Sequence, residues 1–215
     1  MTTTVYVVTP AYNAVETIDR TILSVVSQAG DFQLRYHVQD GGSTDGTVDR
    51  LKDWQREIQS GRFPVQNHGV FFSFASESDS GMYEAIIRGF DIMTIPKTSF
   101  MAWINADDVL MTGTAAFVAA VENQFARDQV SWLGGAVAIV RDDMIILSHD
   151  RPISTRALRN GLSDGIHWPF VQQEGTFFRK WLWDAARPLE NLLPLRLAGD
   201  WNLWRLFSHH AQLVQ

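Results

Sequence analysis

The sequence predicts an α/β fold: a mostly parallel central sheet flanked by helices, with a smaller second half leaning on it. Three observations carry that prediction. Short β-branched and aromatic runs alternate with helical stripes through the first half, which is the signature of parallel strands joined by crossover helices. The first of these runs, Val5–Val8, is β-branched and aromatic throughout and stops at a loop, as a buried strand does. Acidic clusters stand where strands stop, at Asp40 and at Asp107-Asp108, and open parallel sheets bind ligands beyond the carboxyl ends of their strands.

The elements follow in order. Val5–Val8 runs into Thr9-Pro10 and reads as a buried strand followed by a loop. Val15, Ile18, Ile22, Val25 and Val26 share one helical face, and Asn13 with Glu16 three residues on is placed to cap that helix. Leu34–Gln39 is the second strand. The loop Asp40-Gly41-Gly42-Ser43 leads into a helix striped by Val48, Leu51, Trp54 and Ile58. Val70–Phe74 is a third apolar piece. Met82, Ala85, Ile86, Phe90 and Met93 stripe the next helix, which Asp79 could cap. Phe100–Ile104 is a short strand ending at Asn105-Ala106-Asp107-Asp108, and Phe117, Val118, Val121 and Phe125 mark the helix after it. Beyond that, Val130–Val140 and Met144–Ser148 flank Arg141-Asp142-Asp143 and read as a hairpin. Five of the eight tryptophans lie between Trp168 and Trp204. A final helix spans 200–210, with Leu203, Trp204 and Phe207 on one side.

Composition bounds the function. A chain of 215 residues with 46% hydrophobic and 20% charged residues is globular. It can bury roughly 70% of its unfolded surface, so it needs no metal or disulfide staple. The absence of cysteine excludes disulfides, thiolate zinc sites, iron–sulfur clusters and thiol catalysis. A net charge of -6, with 18 Lys and Arg in no long cluster, gives no footprint for nucleic acid. No apolar run approaches the roughly 18 residues of a membrane span. Neither a P-loop nor a G-x-G-x-x-G fingerprint is present, and there is no G-x-S-x-G elbow.

Four segments carry candidate chemistry. Gln39–Thr47 puts adjacent glycines after a strand, so the backbone can approach a ligand closely. Its Ser43, Thr44 and Asp45 also suit a capped strand-to-helix turn, and the two readings stand side by side. Asp40, ahead of those caps, suits a hydrogen bond to a ribose or a base N–H. At Asn105–Asp108 adjacent carboxylates repel unless a cation or solvent compensates. Mg²⁺ or Mn²⁺ held by one or two carboxylates and by phosphate oxygens is one reading, and a helix cap the other. Asp200 serves equally as a helix cap or as a general base. The tryptophans suit a core, with some able to line a groove against sugar rings.

In order along the chain, VVTPAYNAVETIDRTILSVVSQ, HVQDGGSTDGTVDRL, SESDSGMYEAIIRGF, WINADDVL, WPFVQQEGTFFRKWLWD and LAGDWNLWRLF resemble glycosyltransferase family 2. These are inverting enzymes of the GT-A fold that use nucleotide sugars. The third segment resembles a subgroup that builds bacterial surface polysaccharides. The resemblance implies one catalytic domain over residues 1–215. Its Rossmann-like half, about 1–110, would bind the nucleotide sugar, and 111–215 would face the acceptor. Thr9, Pro10, Tyr12 and Asn13 would border the nucleotide, Asp40 would bind the base, and Asp79 would lie on the donor side near it. Asn105 stands at the first position of the family's Asp-x-Asp motif. Asp107 would coordinate Mn²⁺ or Mg²⁺, supported by Asp108, and Asp200 would be the catalytic base.

The sequence departs from the family at three places. Asn105 replaces an aspartate, Gly199 stands where many members have glutamate, and the chain stops soon after Asp200, as a C-terminally truncated domain would. The resemblance implies a nucleoside-diphosphate sugar as donor, a UDP-sugar first among them, and a glycan or lipid-linked glycan as acceptor. It implies no nucleic acid. It also implies a cytoplasmic enzyme with peripheral access to the inner face of a membrane. The alternatives are a catalytically degenerate module that binds a nucleotide sugar or glycan, and a nucleotidyltransferase. Against the latter stands the lack of a Gly-rich basic loop for a triphosphate.

Overall fold

The computed structural model describes residues 2–125, 129–136, 138–141, 144–147, 152–163, 165 and 169–215. In chain order the elements are β1 (Thr3–Ala11), α1 (Ile18–Val26), β2 (Phe32–Asp40), α2 (Thr47–Gln59), β3 (Val70–Ser76), α3 (Met82–Asp91), β4 (Phe100–Trp103) and α4 (Thr114–Gln124). There follow β5 (Trp132–Gly134), β6 (Ala138–Arg141), β7 (Met144–Leu147), α5 (Thr155–Arg159), β8 (Thr176–Arg179), α6 (Lys180–Ala186), α7 (Pro188–Asn191) and α8 (Gly199–Phe207).

Six strands form one sheet in the order β3-β2-β1-β4-β8-β5. β1 to β4 are parallel, and β8 runs antiparallel to both β4 and β5. This is the mostly parallel sheet the sequence predicts. Because β2 and β3 lie on one side of β1 and β4 on the other, the winding reverses between β1 and β4. A crevice opens at such a reversal, at the carboxyl ends of the strands. The second half is built into the sheet: β5 and β8 extend it beyond β4.

Side chains alternate across each strand. Val5 and Val7 of β1 face a core shared with Ile18, Ile22 and Val25 of α1 and Val118 of α4. Tyr6 and Val8 face the opposite core with Ile86 and Phe90 of α3 and Trp204 of α8. α3 lies close on β1 because Gly89 faces Val8, where a Cβ would come within 2.7 Å of Val8 Cγ1. In the second core Trp103 stacks on Trp204, with ring centroids 5.6 Å apart, and the indole of Trp204 donates to Val171 O at 3.0 Å. Trp183 and Trp204 are thus core residues, whereas Trp181 and Trp201 are partly exposed. Trp168 lies outside the described residues. Arg179 of β8 is fully buried, its charge met by Glu122 Oε2 at 2.5 Å, and it lies over the Phe100 ring.

Several boundaries differ from the sequence reading. α1 begins at Ile18, one turn late, because Asn13 is held in the left-handed region (φ 47°) by contacts to another loop and does not cap it. The run 130–140 splits. Trp132–Gly134 enters the main sheet, while Ala138–Arg141 pairs with Met144–Leu147 as the predicted hairpin. Asp142, Asp143 and Ser148 of that prediction lie outside the described residues.

Candidate functional site

A cleft of about 940 Å³ opens at the winding reversal. Its walls are the end of β1 (Pro10 to Asn13), Gly41-Gly42 after β2, Ser78 to Met82 entering α3, and Asn105 to Asp107 after β4. Of the residues singled out in the sequence, Pro10, Tyr12, Asn13, Asp79, Asn105 and Asp107 line it. Thr9, Asp40, Asp108 and Asp200 do not.

The wall after β2 is held by Asp40. Its carboxylate is fully buried and accepts hydrogen bonds from the backbone N–H of Gly42 (3.1 Å) and Ser43 (2.9 Å) and from the hydroxyls of Ser43 and Ser76. Both oxygens are thereby turned into the loop. Asn13 ties the same loop to β1: its N–H donates to Ser43 Oγ at 2.7 Å and its Oδ1 accepts from Thr44 N–H at 3.0 Å. Asp45 accepts from the N–H of Thr47 and of Val15. So the polar residues of Gln39–Thr47 build the loop, and what they present to the cleft is the backbone of Gly41 and Gly42. Tyr12 stands on the rim, 68% exposed, as a flat apolar face. Thr9 is buried beneath, paired with the Tyr36 phenol at 2.9 Å.

Asp79 faces this loop, its carboxylate so close to Gly41 that a Cβ there would meet Oδ2 at 2.9 Å. It accepts from Gly81 N–H at 2.9 Å. Burial first, then the negative charges of Glu84 and Asp40, raises its pKa.

The segment after β4 is clamped from α1. Thr21 Oγ1 lies 2.9 Å from Ala106 O and 2.7 Å from Asp108 O, and Arg20 donates to Asp107 O at 3.0 Å. This backbone grip leaves the Asp107 carboxylate exposed on the cleft. Asn105 donates through Nδ2 to Asp108 Oδ2 at 3.2 Å, while its Oδ1 is buried without a partner. Burial, then the charges of Glu174 and Asp107, pushes the Asp108 carboxyl up to about 6.

Asp200 lies in the first turn of α8, and the residue preceding that helix is Ala198. It therefore does not cap the helix in the way the sequence allowed. Burial, with Glu174 adding repulsion, raises its pKa. The start of α8 is fixed by Tyr83 of α3, whose phenol oxygen accepts from Gly199 N–H at 2.7 Å. A Cβ at 199 would fall 2.5 Å from the Tyr83 ring and 2.6 Å from Leu192. That contact explains why glycine occupies this position.

Two neighbours were not singled out in the sequence, although they lie within WPFVQQEGTFFRKWLWD, a segment that the resemblance put on the acceptor side. Gln173 and Glu174 precede β8, and the negative charge of Glu174 acts on Asp108 and Asp200. The only sequence signal was the polar QQEG break inside an otherwise apolar stretch.

The donor set suits a hard divalent cation bound chiefly by ligand phosphates. Asn105 Oδ1 is an oxygen without a partner, and Asp107 offers a free carboxylate on the same loop. Mg²⁺-type ions bind by one or two such groups plus phosphate oxygens. No cluster of three or more His, Cys, Asp or Glu able to hold a metal unaided occurs among the described residues.

The family model for glycosyl transferase family 2 matches residues 6–124, more than half of the chain. No curated protein matches the chain in sequence. Among solved structures, S. aureus TarS 1-349 in complex with UDP-GlcNAc superposes with a TM-score of 0.62 at 17% identity. That match covers 98% of this chain and 55% of TarS 1-349. The mannosyltransferase PcManGT from Pyrobaculum calidifontis, in complex with GDP-Man and Mn²⁺, gives 0.54 at 20% identity, covering 84% of this chain and 45% of its own. At these identities the likeness is one of fold, and the chain spans little more than half the length of the TarS fragment.

Proposed function

Because this chain belongs to glycosyl transferase family 2, we propose that it transfers a sugar from a nucleoside-diphosphate sugar to a hydroxyl of a glycan or lipid-linked glycan, with inversion. One observation carries the reading. At the reversal of a parallel sheet, a cleft sized for a nucleotide sets an unpartnered Asn105 Oδ1 beside the exposed Asp107. The structures with the same fold that carry UDP-GlcNAc or GDP-Man with Mn²⁺ support a nucleotide-sugar donor.

In this reading the base lies against Tyr12, near Asp79, and the backbone at Gly41-Gly42 admits it closely. Asn105 and Asp107 would hold Mn²⁺ or Mg²⁺, whose charge offsets that of the departing diphosphate. Asp108 supports that loop through Asn105. Asp200 takes the proton of the acceptor hydroxyl as its oxygen attacks the anomeric carbon from the face opposite the diphosphate. One carbon–oxygen bond forms, the bond to the diphosphate breaks with its electrons, and a single displacement inverts the centre. Burial raises the pKa of Asp200, which makes its carboxylate a stronger base. The acceptor side rests on the resemblance of WPFVQQEGTFFRKWLWD, and a role in bacterial surface polysaccharide on that of SESDSGMYEAIIRGF. A cytoplasmic site at the inner face of a membrane belongs to the same proposal. Among the described residues no helix is long and apolar enough to cross a membrane.

Thermal unfolding against UDP, GDP, ADP and CDP, each with and without Mn²⁺, tests the cleft. A ligand at 100 times its Kd adds about 2.7 kcal/mol, which raises the Tm of a chain this size by roughly 5–10 °C. Stabilisation by one diphosphate, dependent on Mn²⁺ and lost in Asp107→Ala, is the expected result. No shift with any nucleotide would sink the reading. Asp200→Asn is expected to abolish transfer while donor titrations stay as in the parent chain. Loss of both together would assign Asp200 to donor binding or structure.

A further inference from the structure

We infer that Gln173 and Glu174 recognise the hydroxyl groups of the glycosyl unit being transferred, which makes them the sugar-selecting residues of the site. The inference rests on the glycosyltransferase reading above and goes beyond it by giving a role to two residues to which that reading assigned none individually.

The placement comes from the sheet. β8 pairs antiparallel with β4 in a register that sets Phe100 opposite Arg179 and Met101 opposite Phe178. Because β8 runs against β4, the turn at 173–175 that precedes it lies at the end of the sheet where β4 stops and Asn105 follows. A strand running against its neighbours thus delivers the residues that precede it to the catalytic edge of the sheet. The turn is fixed there: Gly135 N–H donates to Gly175 O at 2.8 Å, and Thr176 Oγ1 donates to Gln172 O at 2.8 Å.

The second observation is independent of placement. Gln173 is 6% exposed, yet neither its amide nitrogen nor its amide oxygen has a partner, and Glu174 Oε2 is also buried and unpartnered. Buried polar groups in folded proteins are almost always satisfied, so adjacent orphans call for an explanation. An amide supplies one acceptor and two donors, and a carboxylate only acceptors. Vicinal hydroxyls, each a donor and an acceptor, answer that set. A phosphate does not, because it would face the Glu174 carboxylate.

The position between the loop after β4 and α8 identifies which sugar. β8 runs against β4, so the turn before it lies where β4 ends, on the diphosphate side. Two residues before the turn, Val171 O accepts from the Trp204 indole of α8 at 3.0 Å, which ties the segment to the helix that carries Asp200 on the acceptor side. In a single displacement the ring lying between leaving group and nucleophile is the transferred one.

The test uses the full chain, Glu174→Gln and Gln173→Ala, with Mn²⁺ present. Calorimetry compares UDP with UDP-glucose, UDP-galactose and UDP-GlcNAc, and GDP with GDP-mannose. The quantity read is the affinity gained when the sugar is added to the nucleotide. The parent chain is expected to gain affinity from one of these sugars. Each variant should lose about tenfold or more of that gain, as for a hydrogen bond to a charged group, while its Kd for the bare nucleotide stays within about twofold. An unchanged gain in Glu174→Gln, which keeps the shape of the side chain, would overturn the inference and leave the transferase reading standing. So would equal weakening of nucleotide and nucleotide sugar, or a parent chain that gains nothing from any sugar. Failure of the parent chain to bind any nucleotide would overturn both.

Discussion

Asp108 shows how a single residue records what its site is for. With no cation beside it, its carboxyl is held near 6 by burial and by the charges of Glu174 and Asp107, against about 3.9 in an unfolded chain. Its folded pKa is the higher one, so the proton stabilises the fold. Stability is full below pH 4 and is lost as pH rises through 6. Two units correspond to about 2.7 kcal/mol, of which ~1–2 kcal/mol survives for a carboxyl only partly buried. In EDTA at pH 8, Asp108→Asn is therefore expected to melt about 2–8 °C above the parent chain, with the difference closing toward pH 4. A difference that persists at pH 4 would mean the gain came from packing. Residue identity was legible here because carboxylates beside each other after a strand are costly. Asp40 was legible as important, but its four hydrogen bonds, three within the loop and one from Ser76 of the neighbouring strand, were not, because they arise only once loop and strand are folded together. Gln173 and Glu174 were illegible for the same reason: their meaning comes from β4, about seventy residues earlier in the chain.

At the scale of elements, the strands and helical stripes of the first half were readable because each buries its own period of side chains. What the period does not encode is where an element starts when a loop competes for its cap. Asn13 spends its polar groups on Ser43 and Thr44, and α1 begins a turn late. The run 130–140 was misread as one strand because a continuous apolar stretch carries no mark of where it changes sheets. α8 presents the clearest element-level constraint. Its first turn carries Asp200, and its seat depends on Gly199 lying flat on Tyr83. Gly199→Ala would press a methyl into a ring and Leu192, at a cost of about 1–3 kcal/mol for overpacking. The Tm should fall by roughly 2–12 °C. An unchanged melting curve would show that α8 can lift without penalty, and the fixed placement of Asp200 would have to be abandoned.

The whole molecule divides its labour along the sheet. Parallel strands β1, β2 and β4 end in the loops that form the nucleotide-sized cleft. The reversed strand β8 begins where they end, and so contributes the turn before it. The overall α/β class could be read from sequence, because alternating elements leave few topologies open. The reversal could not, since a four-residue strand looks alike in either direction. That reversal has an evolutionary consequence. The turn at 173–175 lies on the far side of β4 from Tyr12, Gly41 and Asp79, and no hydrogen bond among the described residues joins them. Variation can therefore accumulate in one without unsettling the other. On the proposed reading, a lineage carrying this scaffold is free to change which sugar it delivers while inheriting its nucleotide, and a mutant library confined to 172–175 tests that freedom directly.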